Sequence, residues 1–206
     1  MEKVDNLILG CGETRVPGAV HIDKNELVKP DVIHDLNSFP YPFEDNSVCH
    51  IQAFHIIEHL SDPFDVMREF YRILKPNGKL HIKVPHCSRG FTHSQHKSGF
   101  DVAFPLYFDK SFTLSGYFGI DFKCEKNELH WLGNQHLLKY IGIKNWQITI
   151  LQTLNFFINM LAGMNPYVCS RFWAYWVGGF DEIEFEFTCI KEASNDSKES
   201  ELESNA

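Results

Sequence analysis

The stretch Leu7-Ile8-Leu9-Gly10-Cys11-Gly12, followed by Val20-His21-Ile22-Asp23, decides the reading of this chain; Asp23 lies eleven residues beyond Gly12. Glycines let backbone N–H groups approach a ligand at the carboxyl end of a parallel strand, and an acid ending the next strand accepts hydrogen bonds from both hydroxyls of a ribose. The pair reads as half of a nucleoside-binding site. A tight turn followed by a solvated acid is the plainer alternative, so the decision falls to the rest of the chain.

Working outward, Asp31 to Leu36 is a short apolar run that ends in Asp35 and Leu36 and leads into the proline-rich loop Phe39 to Phe43. Asp45, Asn46 and Ser47 make a turn before the strand-like run Val48 to Phe54. Asp62 before Pro63 is an N-cap with proline at the first helical position, and Asp65 suits the first turn. Phe64, Met67, Phe70, Tyr71 and Leu74 recur at three and four, which predicts a helix with one buried face. Lys75, Pro76, Asn77 and Gly78 form a turn, and Leu80, Ile82 and Val84 alternate in a strand after it, completing a βαβ unit.

These residues resemble the class I S-adenosylmethionine-dependent methyltransferases, in particular a compact methyltransferase type 11-like group. The resemblance is carried by LGCG at 9–12, PG at 17–18, HID at 21–23, HDL at 34–36, PFEDNS at 42–47, HIIEH at 55–59 and RILKPNGKLHIKVP at 72–85. An ordered series over roughly the first half of the chain is far more specific than any one motif. The resemblance implies S-adenosylmethionine as cofactor, bound by Leu9, Gly10, Cys11, Gly12, Asp23, Asp35, Leu36 and Phe54. Gly10 and Gly12 would face the methionine portion, Asp23 the ribose and Asp35 the adenine, with Cys11 lending mainly its backbone. The implied fold is α/β: a Rossmann-like, seven-stranded, mostly parallel sheet with an antiparallel last strand.

Several features depart from the family pattern. Only ten residues separate Gly12 from Asp23, so a full first crossover helix does not fit and the segment Glu13 to Gly18 must make a short irregular crossover. A dinucleotide fold needs about twenty residues from its glycines to the acid, which disfavours NAD. The third glycine of many donor loops is absent, Ile8 replaces a polar residue, and Cys49 stands where an aspartate commonly follows the DNS turn.

The 206 residues, 44% of them hydrophobic, suffice for one globular domain, expected over 1–192, with a Ser-, Asn- and Glu-rich acidic tail over 193–206 expected to be disordered. A net charge of −8 without a Lys/Arg cluster argues against nucleic acid as partner. No run of about twenty apolar residues suggests a transmembrane segment, and the start MEKVDN lacks a signal-peptide core, so a cytoplasmic protein is expected. Six cysteines without a CxxC pair read as reduced thiols.

Beyond Val84 a polar loop from Pro85 to Gly99 precedes an expected helix at Ser111 to Tyr117 capped by Asp109, and Phe122 to Leu132 reads as the sixth strand. Ile183, Phe185, Phe187 and Cys189 alternate with Glu182, Glu184, Glu186 and Thr188, a strand with one buried and one wet face. Between these strands lies an insertion, 133–179, where Ile148, Leu151, Leu154, Ile158 and Leu161 follow helical spacing beside Gln152, Asn155 and Asn159. This amphipathic segment suits a lid, a homodimer face or a membrane-surface helix. The aromatic run RFWAYWV at 171–177 reads first as core or subunit contact.

The sulfonium donor brings its own leaving group, so positioning supplies much of the rate, while a hydroxyl acceptor needs a nearby base. His55, directly after the fourth strand, and His96, in the polar loop, are the expected catalytic residues, with His59, His86 and His93 toward the substrate. The expected reaction is methyl transfer to a small-molecule or glycan hydroxyl. Arg89 and Lys97 read as solvated charges rather than substrate contacts. One alternative is a catalytically inactive donor-fold scaffold, suggested by the missing glycine, Ile8 and Cys49. A remoter one is a zinc hydrolase using HIIEH, which needs a long helix that Pro63 does not allow. No residue is assigned to a metal; an ion at His86, His93 and His96 is the weaker reading.

Overall fold

The computed structural model describes residues 4–90, 93–112, 116–133, 135–140 and 142–191. Seven strands form one sheet: β1 (Val4–Leu9), β2 (Val20–Asp23), β3 (Val32–Ile33), β4 (Val48–Phe54), β5 (Leu74–Pro85), β6 (Phe122–His130) and β7 (Glu182–Cys189). Their spatial order is β3-β2-β1-β4-β5-β7-β6. The first five run parallel, and β7 is antiparallel to both β5 and β6. The chain reverses its direction across the sheet between β1 and β4, and such a switch point opens a crevice at the carboxyl ends of the strands.

The link from β1 to β2 contains no helix. Two polar devices hold it instead. The Arg15 guanidinium donates to the carbonyls of Gly12 (3.0 Å), Thr14 (2.6 Å), Lys29 (3.2 Å) and Val28. The buried His21 ring accepts from Val16 N at 2.9 Å through Nε2 and meets Asp31 Oδ2 at 2.8 Å through Nδ1, while His21 N donates to the same oxygen at 2.8 Å.

Helix α1 (Pro63–Ile73) starts as expected, with Asp62 Oδ1 accepting from Phe64 N at 2.7 Å and Pro63 in the first turn. Its Val66, Met67, Phe70 and Ile73 enter the core against Leu80, Ile82 and Val84 of β5 and Ile183, Phe185 and Phe187 of β7. The turn expected at Lys75–Gly78 exists as an excursion inside β5: Val48 pairs Leu74, whereas His50 pairs Lys79.

The other face of β5, β7 and β6 is ionic. Glu184 meets His81 at 2.6 Å, His130 at 2.9 Å and Lys126 at 3.2 Å; Glu182 meets His55 at 2.7 Å and Lys83 at 3.4 Å. The expectation of a wet glutamate face on β7 is therefore corrected. Glu182, Glu184 and Thr188 are buried, because basic side chains of the flanking strands cover them. Burial pushes the Glu184 carboxyl up, but His81, Lys126, Lys83 and His130 outweigh it and hold the group down at about 2.

Two further expectations change. Of the helix expected at 111–117, residues 113–115 lie outside the described residues and the rest are turn or irregular; a 3-10 turn stands at Phe104–Phe108, and Asp109 caps a turn by accepting from Ser111 N at 2.8 Å. A short helix, α2 (Cys87–Gly90), follows β5; in the insertion the short α4 (Pro166–Val168) accompanies the long α3 (Asn145–Met164), and α3 is inverted relative to a soluble amphipathic helix. Its polar stripe docks: Asn159 Oδ1 accepts from Trp131 N at 2.9 Å and Asn155 Oδ1 from Leu132 N at 3.0 Å. Trp146, Ile150, Leu154, Phe157, Leu161 and Met164 are exposed. In RFWAYWV Ala174 is buried in the core and Trp173, on Phe180, and Val177 pack against it, while Phe172, Tyr175 and Trp176 (85% exposed) face outward, so the run is core on one side only. No helix among the described residues is long and apolar enough to cross a membrane. All six cysteines are free thiols, and the tail expected at 193–206 lies outside the described residues.

Replacing the strut of the β1–β2 link, His21→Ala, leaves Val16 N without its acceptor and Asp31 with only the backbone N–H of residue 21, and lowers unfolding free energy by about 1–3 kcal/mol in urea denaturation. Glu184 has its folded-state pKa depressed from 4.5 to about 2, so its contribution is complete above pH 4.5 and disappears as pH falls through 2. The stability difference between wild type and Glu184→Gln is expected at about 2–3 kcal/mol near neutral pH and close to nil near pH 2.

Candidate functional site

A cavity of about 410 Å³ opens where β1, β2, β3 and β4 end, lined by Gly10, Asp23, Lys24, His34, Asp35, Leu36, Asn37, Ile56, His59, Leu60, Gln95 and Lys97. That volume falls in the range of small-ligand sites, roughly 300–1,000 Å³. Gly10 sits at φ 58°, and a Cβ there would come within 2.6 Å of Ile56 Cγ1, so only glycine brings the β1 turn this close to the wall. Asp23 clasps the turn: Oδ2 accepts from Gly12 N at 3.0 Å and Oδ1 from Asn25 N at 2.9 Å. Each carboxylate oxygen has a second lone pair for a ligand hydroxyl.

The opposite wall hangs from α1. Glu69 Oε1 accepts from Tyr41 N at 2.6 Å, and Tyr41 Oη donates to Leu36 O at 3.0 Å. Asp35 Oδ1 accepts from Asn37 N at 3.0 Å and Asn37 Nδ2 at 3.1 Å, bonds that hold its carboxyl below the usual range and ionised at neutral pH. Asn37 Oδ1 in turn accepts from Ser61 N at 2.8 Å, tying this wall to the turn after β4.

The HIIEH segment divides its histidines. His55 takes φ 51° directly after β4, which breaks any helix there; a single 3-10 turn, Ile57–His59, follows. The His55 ring turns away from the cavity, Nε2 at 2.7 Å from Glu182 and Nδ1 at 3.5 Å from Glu58. Glu182 first and Glu58 second raise its pKa to about 9, so it is an imidazolium at neutral pH and a poor base. His59 lines the cavity, its Nδ1 3.3 Å from Gln95 O. This one-turn geometry removes the long helix that a zinc peptidase of the H-x-x-E-H type needs.

Of the residues expected from sequence, Gly10, Asp23, Asp35, Leu36 and His59 line the cavity, while Leu9, Cys11, Gly12, Phe54, His55, His86, His93 and His96 do not. Leu9 and Cys11 are buried, and the Cys11 thiol is pushed up by that burial. Phe54 belongs to the ionic face, edge-on to His81 with Lys83 over its ring. His86 is a buried histidine bridging Ser88 Oγ (2.7 Å) and Ser170 Oγ (3.0 Å), with burial lowering its pKa. Arg89 is structural, bonded to Asp181 (2.5 Å), Gly178 O (2.7 Å) and Trp131 O (3.1 Å). His93 and His96 stack on each other behind His59, centroids 4.8 Å apart. Sequence reasoning missed Lys24, His34, Asn37, Ile56, Leu60 and Gln95, and read Lys97 as solvated; these have no signature beyond lying in or beside a motif. Cys49 lies near the start of β4, at 3.5 Å from Asp5, and Ile8 is buried in β1, so neither substitution touches the cavity.

Residues 10–82 match the family described as Methyltransferase domain. Among solved structures, a chain of the complex between the Haloferax volcanii Trm112 methyltransferase activator and the putative methyltransferase is 13% identical, with TM-score 0.51 over 92% of this chain and 84% of that one. An S-adenosylmethionine-dependent methyltransferase from Mesorhizobium loti is 10% identical, with TM-score 0.50 over 91% of both chains. The [4+2]-cyclase SpnF is 14% identical, with TM-score 0.52 over 93% of this chain and 77% of that one. No curated protein matches the sequence. The chain thus carries the class I S-adenosylmethionine-dependent methyltransferase fold, with a match to the methyltransferase domain family from the turn after β1 through β2, β3, β4 and α1 into β5. The glycine cradle against Ile56 and the two acids fit the donor that the fold implies.

Gly10→Ala is expected to push Ile56 into the cavity and weaken binding of S-adenosylhomocysteine at least tenfold by calorimetry, with Ile56→Ala partly restoring it in the double variant.

Proposed function

We propose that this protein transfers the methyl group of S-adenosylmethionine to a hydroxyl of a small molecule or glycan. The observation that carries this reading is the convergence of Gly10, Asp23 and Asp35, from three separate strand ends, on one cavity at the switch point of the sheet. In this reading Asp23 accepts from the ribose hydroxyls, Asp35 and Leu36 face the adenine, and Gly10 with Ile56 bounds the methionine portion. The donor supplies an electrophilic methyl group on a sulfonium, whose C–S bond breaks with its electron pair passing to sulfur as the acceptor oxygen forms the new C–O bond. The chain's own contribution is to align donor and acceptor and to exclude water.

The acceptor enters on the side of His59, Gln95 and Lys97, and its hydroxyl proton leaves there. His93 and His96 belong to this side through their ring contacts with His59. His55 is given a positioning role: its pairing with Glu182 joins the turn after β4 to β7. The departures at Ile8 and Cys49 lend no support to a non-catalytic scaffold, because both lie away from the cavity.

Calorimetric titration with S-adenosylhomocysteine tests this assignment. Wild type is expected to bind one equivalent, and Asp23→Ala and Asp35→Ala are each expected to lose about 1 kcal/mol or more, roughly fivefold or greater. No binding by folded wild type would remove the donor assignment; unchanged affinity in both variants would move the site elsewhere.

A further inference from the structure

Behind the acceptor wall lies a carboxylate with no hydrogen bond. Glu58 is 0% exposed, and neither of its carboxylate oxygens has a hydrogen-bond partner among the described residues. A buried carboxylate in that condition is strongly unfavourable unless cations compensate it, and the His55 imidazolium beside it makes only a long contact. His55 Nδ1, at 3.5 Å from Oε1, is too distant for a good hydrogen bond, and its other nitrogen is committed to Glu182.

Two imidazoles face the same carboxylate with one nitrogen each unspent. His59 directs Nδ1 to Gln95 O at 3.3 Å, and His96 directs Nδ1 to Gly90 O. A neutral ring that donates from Nδ1 carries its lone pair on Nε2, and a backbone carbonyl behind Nδ1 is the way proteins orient metal-binding imidazoles. His96 Nε2 stands 4.0 Å from Glu58 Oε1, and one ligand atom from each of Glu58, His59 and His96 lies within 4.8 Å of the others. Backbone bonds hold the two carriers together, since Lys97 N donates to Glu58 O at 2.8 Å.

We propose that Glu58, His59 and His96 bind one first-row divalent cation of the zinc or cobalt type. Two imidazoles and a carboxylate select such an ion over magnesium or calcium. Donors around a tetrahedral ion with bonds of about 2.0–2.1 Å stand about 3.3 Å apart, so binding draws the present donors, within 4.8 Å of one another, closer together. Three protein ligands leave a coordination position open. His59 also lines the cavity, so the open position faces the acceptor. That role rests on the methyl-transfer reading and narrows it: the acceptor class is a hydroxyl with a second oxygen beside it, able to chelate the ion. The site itself does not depend on that reading. The other His/Cys/acid clusters, at His86, Cys87 and Asp101 and around Glu184, contain no orphaned buried carboxylate; Glu184 and His86 are fully engaged by protein partners.

The test is titration of the full chain with Co2+ alone, followed by visible absorption, with S-adenosylhomocysteine affinity measured on the same samples. One equivalent with the intense bands of a four- or five-coordinate ion is expected, displaced by Zn2+. His96→Ala and Glu58→Gln should each weaken Co2+ at least tenfold while retaining S-adenosylhomocysteine binding, and exposed His50→Ala should not change it. No saturable Co2+ binding by a wild type that binds S-adenosylhomocysteine overturns the site, as does unchanged binding in His59→Ala, His96→Ala and Glu58→Gln. Should Glu58→Gln fail to fold, His59→Ala and His96→Ala carry the same decision. Co2+ binding lost in these variants, in a wild type that does not bind S-adenosylhomocysteine, leaves the metal site standing and removes only the donor assignment.

Discussion

Ten residues must carry the chain from the end of β1 to the start of β2, and the rest of the site follows from that limit. A helix with its two loops does not fit in such a span, so the backbone polar groups of the link need other partners. Arg15 collects four carbonyls, and His21, braced by Asp31, holds Val16 N. With the link drawn tight, Asp23 reaches back to Gly12 N and Gly10 is pressed against Ile56. This side of the cavity is thus built by hydrogen bonds to a helix-free turn.

The carboxyl-terminal half shows the same reliance on polar packing. Three histidines and two lysines from β5, β6 and the turn after β4 converge on Glu182 and Glu184, which lets β7 bury glutamates on the face opposite its phenylalanines. Helix α3 docks through asparagines to backbone N–H groups at the end of β6, leaving its apolar stripe outward. In both elements period alone identifies strand or helix correctly, but polarity does not assign the faces: β7 buries glutamates as well as phenylalanines, and α3 turns its apolar stripe outward.

The HIIEH segment shows how a motif changes meaning when folded. On a continuous helix its two imidazoles would share a face. With His55 at positive φ, the first ring joins the ionic network of the sheet and the second reaches the cavity, leaving Glu58 buried between them. His96 then approaches Glu58 from a loop 38 positions along the chain, a meeting that no local pattern encodes.

Much of the architecture was legible in the chain itself. The spacing of Gly10, Gly12 and Asp23, the Asp62–Pro63 cap, the three-four pattern of α1 and the period-two pattern of β7 determined a mostly parallel α/β sheet, and they ruled out a first crossover helix by length alone. These signals are local, and backbone geometry makes them readable. Which histidines serve the site, which glutamates are buried and which way α3 faces were decided only by tertiary structure. Each depends on a partner many residues away, and a single imidazole or carboxylate has the same sequence signature whether it faces a cavity, a counter-charge or solvent.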